Sequence, residues 1–210
     1  MKVISIDKET VNRMPVMAFD KPIYVIDKIS QVLAAVAALR RYPVLGFDTE
    51  TRPTFHRGER HAMALIQLST PDEAFLFRTC VIGLPDALLC LLQSRRVKKV
   101  GLSVHDDIHG LTRLNEAFRP GVFIDVQQLI VPYGITDLGL QKIYAILFGK
   151  KISKSQQLTN WEAKVLSEPQ QRYAALDAYS CLQIYDLLTA GAFDPAHCPY
   201  LHDAPSPSQQ

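Results

Sequence analysis

Apolar residues first recur at helical spacing in the segment SQVLAAVAALRRY, where Leu33, Val36, Ala37 and Arg40 share one face and Ser30 is placed to cap it. Residues 1–28 carry no comparable period and read as an N-terminal arm. The pattern then turns β-compatible. VLGFDTET, from Val44 to Thr51 between Pro43 and Pro53, reads as a central strand. AMALIQLST and EAFLFRT, joined by the turn-forming Pro71-Asp72, predict two further strands in an antiparallel meander. Helical spacing returns in LPDALLCLLQS and gives way to a buried-strand pattern in KKVGLSV. HDDIHGLTRLNEAF then reads as helix, GVFIDV as strand, and DLGLQKIYAILFG as a helix ending near Gly149. The plainest boundary is Ser167-Glu168-Pro169-Gln170: a cap at Ser167, proline at the first helical position and glutamine at the third start a long helix running towards Leu188. There is no internal repeat. Three antiparallel strands followed by alternating helix and strand predict an α/β fold, a mixed sheet flanked by helices.

Composition bounds this picture without naming a function. A chain of 210 residues, 48% hydrophobic, fits one large domain with a full core, expected over residues 29–193. No apolar run approaches the roughly 18–20 residues that a membrane span requires, so a soluble protein without a membrane partner is expected. The first residues, MKVISIDKET, lack a signal-peptide pattern, which favours a cytoplasmic location. Cys80, Cys90, Cys181 and Cys198 lie far apart and read as reduced, with Cys90 and Cys181 inside apolar helical patterns as small buried hydrophobes. His197, Cys198 and His202 are grouped as metal ligands can be, but the Asp, Pro, Ser and Gln around them read as a flexible tail over residues 194–210.

A net charge of +2 is too small to identify a nucleic-acid binder. Its distribution says more. Arg95, Arg96, Lys98 and Lys99 form a cluster that reads as solvated surface, whereas Lys150, Lys151 and Lys154, and Arg52, Arg57 and Arg60, fit either surface or ligand contact.

The candidate chemistry is carried by acids. Asp48 and Glu50 are two apart on a predicted strand, so both carboxylates point to one face. On the inner face of a central strand, unpaired acids cost several kcal/mol, so something cationic should meet them. Carboxylate oxygens suit a hard divalent ion such as Mg²⁺ or Mn²⁺ better than zinc. The alternatives are a strand end emerging into water and ion pairing with Arg52. Tyr173 and Asp177, four apart on the capped helix, share a face one turn apart and can address one site or form an ordinary surface hydrogen bond. Asp107 heads a helix whose Leu111 and Leu114 form a buried stripe; alone, it is a charge favoured by the helix dipole.

Taken together and in order, FDTET, VGLSVHDDIHGL and QRYAALDAYSCLQIY resemble the three exonuclease motifs of the DEDD superfamily, in its tyrosine branch, which includes ribonuclease D and the exonuclease domain of the Werner-syndrome helicase. The resemblance runs from about Val44 to Leu188 and takes in the flanking ALIQLST and LTNWEAKVLSEPQQRYAALDA. It carries the family's acids onto Asp48, Glu50, Asp107 and Asp177 and its tyrosine onto Tyr173. Enzymes of the histidine branch have a His five residues before the last acid, where this chain has Arg172. The family implies an RNase H-like fold, with which the element order is compatible, and cleavage that releases nucleotides from the 3′ end of a DNA or RNA strand. Two divalent cations, Mg²⁺ or Mn²⁺, are implied as cofactors, about 3.5–4 Å apart. In that arrangement Asp48 bridges both ions, Glu50 and Asp177 complete the water-side site, Asp107 helps to hold the second ion, and Tyr173 orients the attacking water. A module that binds nucleic acid without cutting it is the alternative reading.

The segment after the first motif reads either as a source of further substrate contacts, with Arg57 and Arg60 meeting phosphate and Phe55 stacking on a base, or as a plain solvated loop. Trp161 is a candidate along the substrate path or an anchor for the connection before the last helix. Ribonuclease D carries a helical domain beyond its nuclease core that 210 residues leave no room for, so added binding surface is expected from a partner or is absent.

Overall fold

The computed structural model describes residues 2–54, 58 and 61–204. A mixed sheet of six strands forms its centre, in the order β2 (Ile23–Ile26), β5 (Ala74–Phe77), β4 (Met63–Ser69), β3 (Val44–Thr51), β6 (Lys98–Gly101), β7 (Phe123–Asp125). The expected meander is present: β3 runs antiparallel to β4 and β4 to β5, while β6 and β7 continue the sheet in parallel beside β3. Helices α2 (Ile29–Leu39), α4 (Asp86–Leu92) and α5 (Val104–Leu114) cover one face, and the single turn α3 (Thr79–Ile82) links β5 to α4. The other carries α6 (Val126–Leu129), α7 (Leu140–Phe148) and α8 (Glu168–Thr189). No helix among the described residues is long and apolar enough to cross a membrane.

Alternation along β3 sets up everything that follows. Leu45 and Phe47 are fully buried in the apolar layer shared with α2, α4 and α5. Gly46, Asp48 and Glu50 point the other way, towards α8. At Gly46 the helix comes so close that an added Cβ would lie 2.0 Å from the Ala178 carbonyl oxygen and 2.4 Å from Ser69 Oγ. Only glycine admits this approach, which draws the middle of α8 onto the strand beside Asp48.

The structure revises several expectations. Residues 23–26, assigned to an N-terminal arm, are the β2 edge strand, parallel to β5. The rest of the arm is also packed: β1 (Lys2–Ile4) pairs antiparallel with β8 (Leu201–Asp203), and α1 (Lys8–Arg13) is capped by the Asp7 carboxylate, which accepts from Thr10 N–H at 2.8 Å. Residues 194–204 are therefore not a flexible tail, because β8 closes on the opposite terminus and Cys198 is buried. On α2 the buried stripe is Val32, Ala35, Val36 and Leu39, one position away from the face first assigned, and Leu33 is exposed. Ser30 does not cap that helix; the Gln31 side chain accepts from Lys28 N–H at 3.0 Å. Pro169 is the second helical residue, after Glu168. Cys90 is exposed rather than buried. Lys99, grouped with surface cations, points inward: its ammonium donates to the Ser94 and Val97 carbonyls at 2.9 Å and lies 4.8 Å from the Phe123 ring centre, and burial lowers its pKa to about 8.

Candidate active site

Three carboxylates converge where β3 meets α8. One oxygen each from Asp48, Glu50 and Asp177 lies within 4.8 Å of the other two, the only such group of potential metal ligands among the described residues. Helix α8 is set in phase by its cap, in which Ser167 Oγ accepts from Gln170 N–H and the Gln170 side chain returns to Ser167 N–H at 3.0 Å. Ten residues on from that cap, Asp177 faces the strand, and Tyr173, one turn earlier, hydrogen-bonds to it. Asp107 arrives from the other side of the sheet. Thr49, between the two strand acids and pointing away from them, donates its hydroxyl proton to the Asp107 carboxylate. Asp106 is exposed at the third position of α5 and caps nothing.

Such crowding is costly in the absence of counter-charge. Burial, followed by the negative charges of Asp177, Asp107 and Glu50, holds the Asp48 carboxyl well above the usual carboxylate range. Glu50 is pushed up to about 9 by burial and by Asp177 and Asp107. Burial lifts Asp177 to about 7 against the hydrogen bond from Tyr173 and the charge of Lys154, and lifts Asp107 to about 6 against the bond from Thr49. The Tyr173 phenol is driven far above its ordinary value, chiefly by burial and then by Asp177 and Glu50. Cationic side chains offer little relief. Arg52, the alternative partner for the strand acids, pairs instead with Glu162 at 3.4 Å. Lys154 is exposed at the edge of the cleft and is the only cationic residue lining it among the described residues. An all-oxygen donor set of like charges, half-buried beside a cleft of about 330 Å³, fits a hard divalent cation.

A sequence model described as 3′-5′ exonuclease matches residues 23–191. The chain belongs to the 3′-5′ exonuclease family. The match starts at the first residue of β2, in agreement with that strand's place in the sheet. Ribonuclease D of Gluconacetobacter diazotrophicus is 30% identical over 174 residues, covering 81% of this exonuclease chain and 43% of its own length. Exonuclease 3′-5′ domain-containing protein 2 of Drosophila melanogaster is 35% identical over 153 residues, 70% of this chain and 25% of its own. This chain thus spans less than half the length of either relative. Among solved structures, the EXO domain of Aedes aegypti Nibbler superposes with a TM-score of 0.74 at 26% identity, covering 86% of this chain and 96% of that domain.

The other site expectations fall unevenly on the exonuclease fold. Phe55, Arg57 and Arg60 lie outside the described residues. Trp161 is corrected as a substrate contact: its ring is completely buried with Leu65, Leu76 and Ala174, 6.0 Å from the Tyr173 ring, and has no surface to offer a base. Its burial makes it the anchor behind Tyr173. Of the lysine trio, Lys154 reaches the cleft while Lys151 donates to the Asn12 carbonyl. His197 and His202 form no common site, the first bonded to Asp194 at 2.6 Å and the second to Ser5 at 2.7 Å. Sequence reasoning passed over Thr49. The only available signal was its place between two acids on a strand, from which its side chain must leave by the opposite face.

Proposed function

We propose that this chain hydrolyses phosphodiester bonds at the 3′ end of a DNA or RNA strand and releases nucleoside monophosphates, in a reaction that requires divalent cations. The observation that carries this reading is the convergence of Asp48, Glu50 and Asp177, with Tyr173 bonded to the last, on one cleft. Asp48, Glu50 and Asp177 would hold the cations, Asp48 shared between two, with Asp107 contributing from the far side. Bound there, Mg²⁺ or Mn²⁺ supplies an activated water and charge stabilisation for the departing 3′ oxygen.

The protein's own part is positional. Tyr173 keeps its proton, since burial and its carboxylate neighbours raise its pKa, so its hydroxyl orients the attacking water by hydrogen bonding and does not deprotonate it. Asp177 fixes that hydroxyl, and Trp161 backs the ring. Lys154 offers a positive charge to the phosphate at the mouth of the cleft. Thr49 fixes the Asp107 carboxylate through its hydrogen bond.

End-labelled DNA and RNA, incubated with the purified protein in Mg²⁺, Mn²⁺ or EDTA, provide the test and select the substrate class. Stepwise loss of 3′ nucleotides in either metal and none in EDTA is expected. Retention of the strand without shortening would leave only a binding module, and rapid cutting of a circular strand would indicate an endonuclease.

A further inference from the structure

Helix α5 carries a second group of metal-ligating side chains, unrelated in chemistry to the acids. His105 and His109 are four apart, both exposed, and their Nε2 atoms are 3.1 Å from each other with ring centres 4.4 Å apart. Each lies two residues from Asp107, so each is turned roughly 200° around the helix from it, on the outer side. The two exposed rings meet at their Nε2 atoms, and neither lines the carboxylate cleft.

We propose that His105 and His109 form a binding site for one borderline transition-metal ion, of the Ni²⁺, Cu²⁺ or Zn²⁺ class, with water completing its coordination. The geometry suits it. Two nitrogens 3.1 Å apart, each about 2.0–2.1 Å from a common ion, subtend roughly 95–102° at the metal, between the square-planar and tetrahedral angles. Imidazole is the preferred side-chain ligand of these ions, while Mg²⁺ prefers the oxygens of the other site. The present contact is a hydrogen bond in which one ring donates Nε2–H and the other accepts; an ion at the shared position needs each nitrogen turned about 40° off the N–N line, a rotation that exposed rings allow. The displaced proton passes to Nδ1 of the donor ring, which gains a bond there as it loses one at Nε2, and both neutral imidazoles then present a lone pair. Because residues i and i+4 are bridged on one helical face, an occupied site would also tie together the first turns of the helix that carries Asp107.

The test uses the tag-free 210-residue chain titrated with Ni²⁺ in excess Mg²⁺, so that the acids are saturated by the harder ion, and read by calorimetry and by the mass of the intact complex. One equivalent of Ni²⁺ is expected for wild type. His105→Gln and His109→Gln should each weaken that binding by at least about tenfold, since even losing a ligand's outer-shell partner costs that much. Asp107→Asn should leave it unchanged. Thermal melting of the glutamine variants in EDTA verifies folding, which exposed positions allow. Absence of Ni²⁺ binding by wild type, or equal binding by folded His105→Gln and His109→Gln, would overturn the site.

Discussion

The two faces of β3 are built from one run of eight residues, yet they do opposite things. Leu45 and Phe47 face the helices α2, α4 and α5 and stabilise the protein by burial; the Phe47 ring meets Phe123 edge-on at 5.1 Å. Gly46, Asp48 and Glu50 face α8, where the glycine removes bulk so that the helix can approach and the acids accumulate charge that destabilises the fold. The candidate site occupies the face that its crowded carboxylates weaken, and the apolar face offsets the cost.

Separating the faces should give separate readouts. Phe47→Ala should cost about 3–5 kcal/mol of stability in a denaturant titration by opening a cavity in the apolar layer. Turnover per folded molecule should be little changed. A loss below about 1 kcal/mol would show that this face collapses around the gap and does not support the strand.

The acids should behave in the reverse way. Asp107→Ala should remove most metal-dependent cleavage, while Asp106→Ala, exposed and capping nothing, should alter stability by only a few tenths of a kcal/mol up to about 1 through the helix dipole. Equal activities in steady-state assays of the two folded variants would displace Asp107 from the site.

The charge on this face should also give the metal-free protein a pH-dependent stability. Glu50, Asp177 and Asp107 hold protons up to about 9, 7 and 6 in the folded state, while the unfolded chain loses them near the ordinary carboxylate values. The folded state therefore binds more protons across this window, and stability in EDTA should fall as pH rises from about 5 to about 9. Mg²⁺ should raise the melting temperature more at the alkaline end. A melting temperature in EDTA that climbs over this range would contradict the raised pKa values.

Tyr173→Phe should have the smallest effect, lowering kcat more than it raises KM, because the ring keeps its packing on Trp161 and only the hydroxyl is lost. Unchanged kcat would leave Tyr173 a packing residue.

How much of this was legible follows from how local each signal is. Strand β3 and helix α8 are marked by nearby residues, the Pro43 and Pro53 flanks and the Ser167 cap, so Asp48, Glu50, Tyr173 and Asp177 could be placed on the right elements and faces. Helix α2 was legible as a helix but not in phase, because apolar residues and alanines occupy nearly every position and leave no polar side to orient it. Strand β2 and the β1–β8 pair depend on partners distant in sequence, which periodicity does not register. Lys99 was misassigned because its neighbours are charged, although strand alternation sends Lys98 outward and Lys99 in. Thr49 was missed because its role exists only once α5 is folded across the sheet.

The claim that the polar face of β3 is a catalytic cation site is tested most directly by Asp48→Asn, assayed beside wild type for melting in EDTA and in Mg²⁺ and for release of 3′ nucleotides. Wild type should gain thermal stability with Mg²⁺ and cleave. The variant should melt in EDTA at or above the wild-type temperature, lose the Mg²⁺-induced gain, and fall in turnover by about two orders of magnitude or more. A folded Asp48→Asn protein that keeps both the Mg²⁺ response and wild-type cleavage would contradict the account.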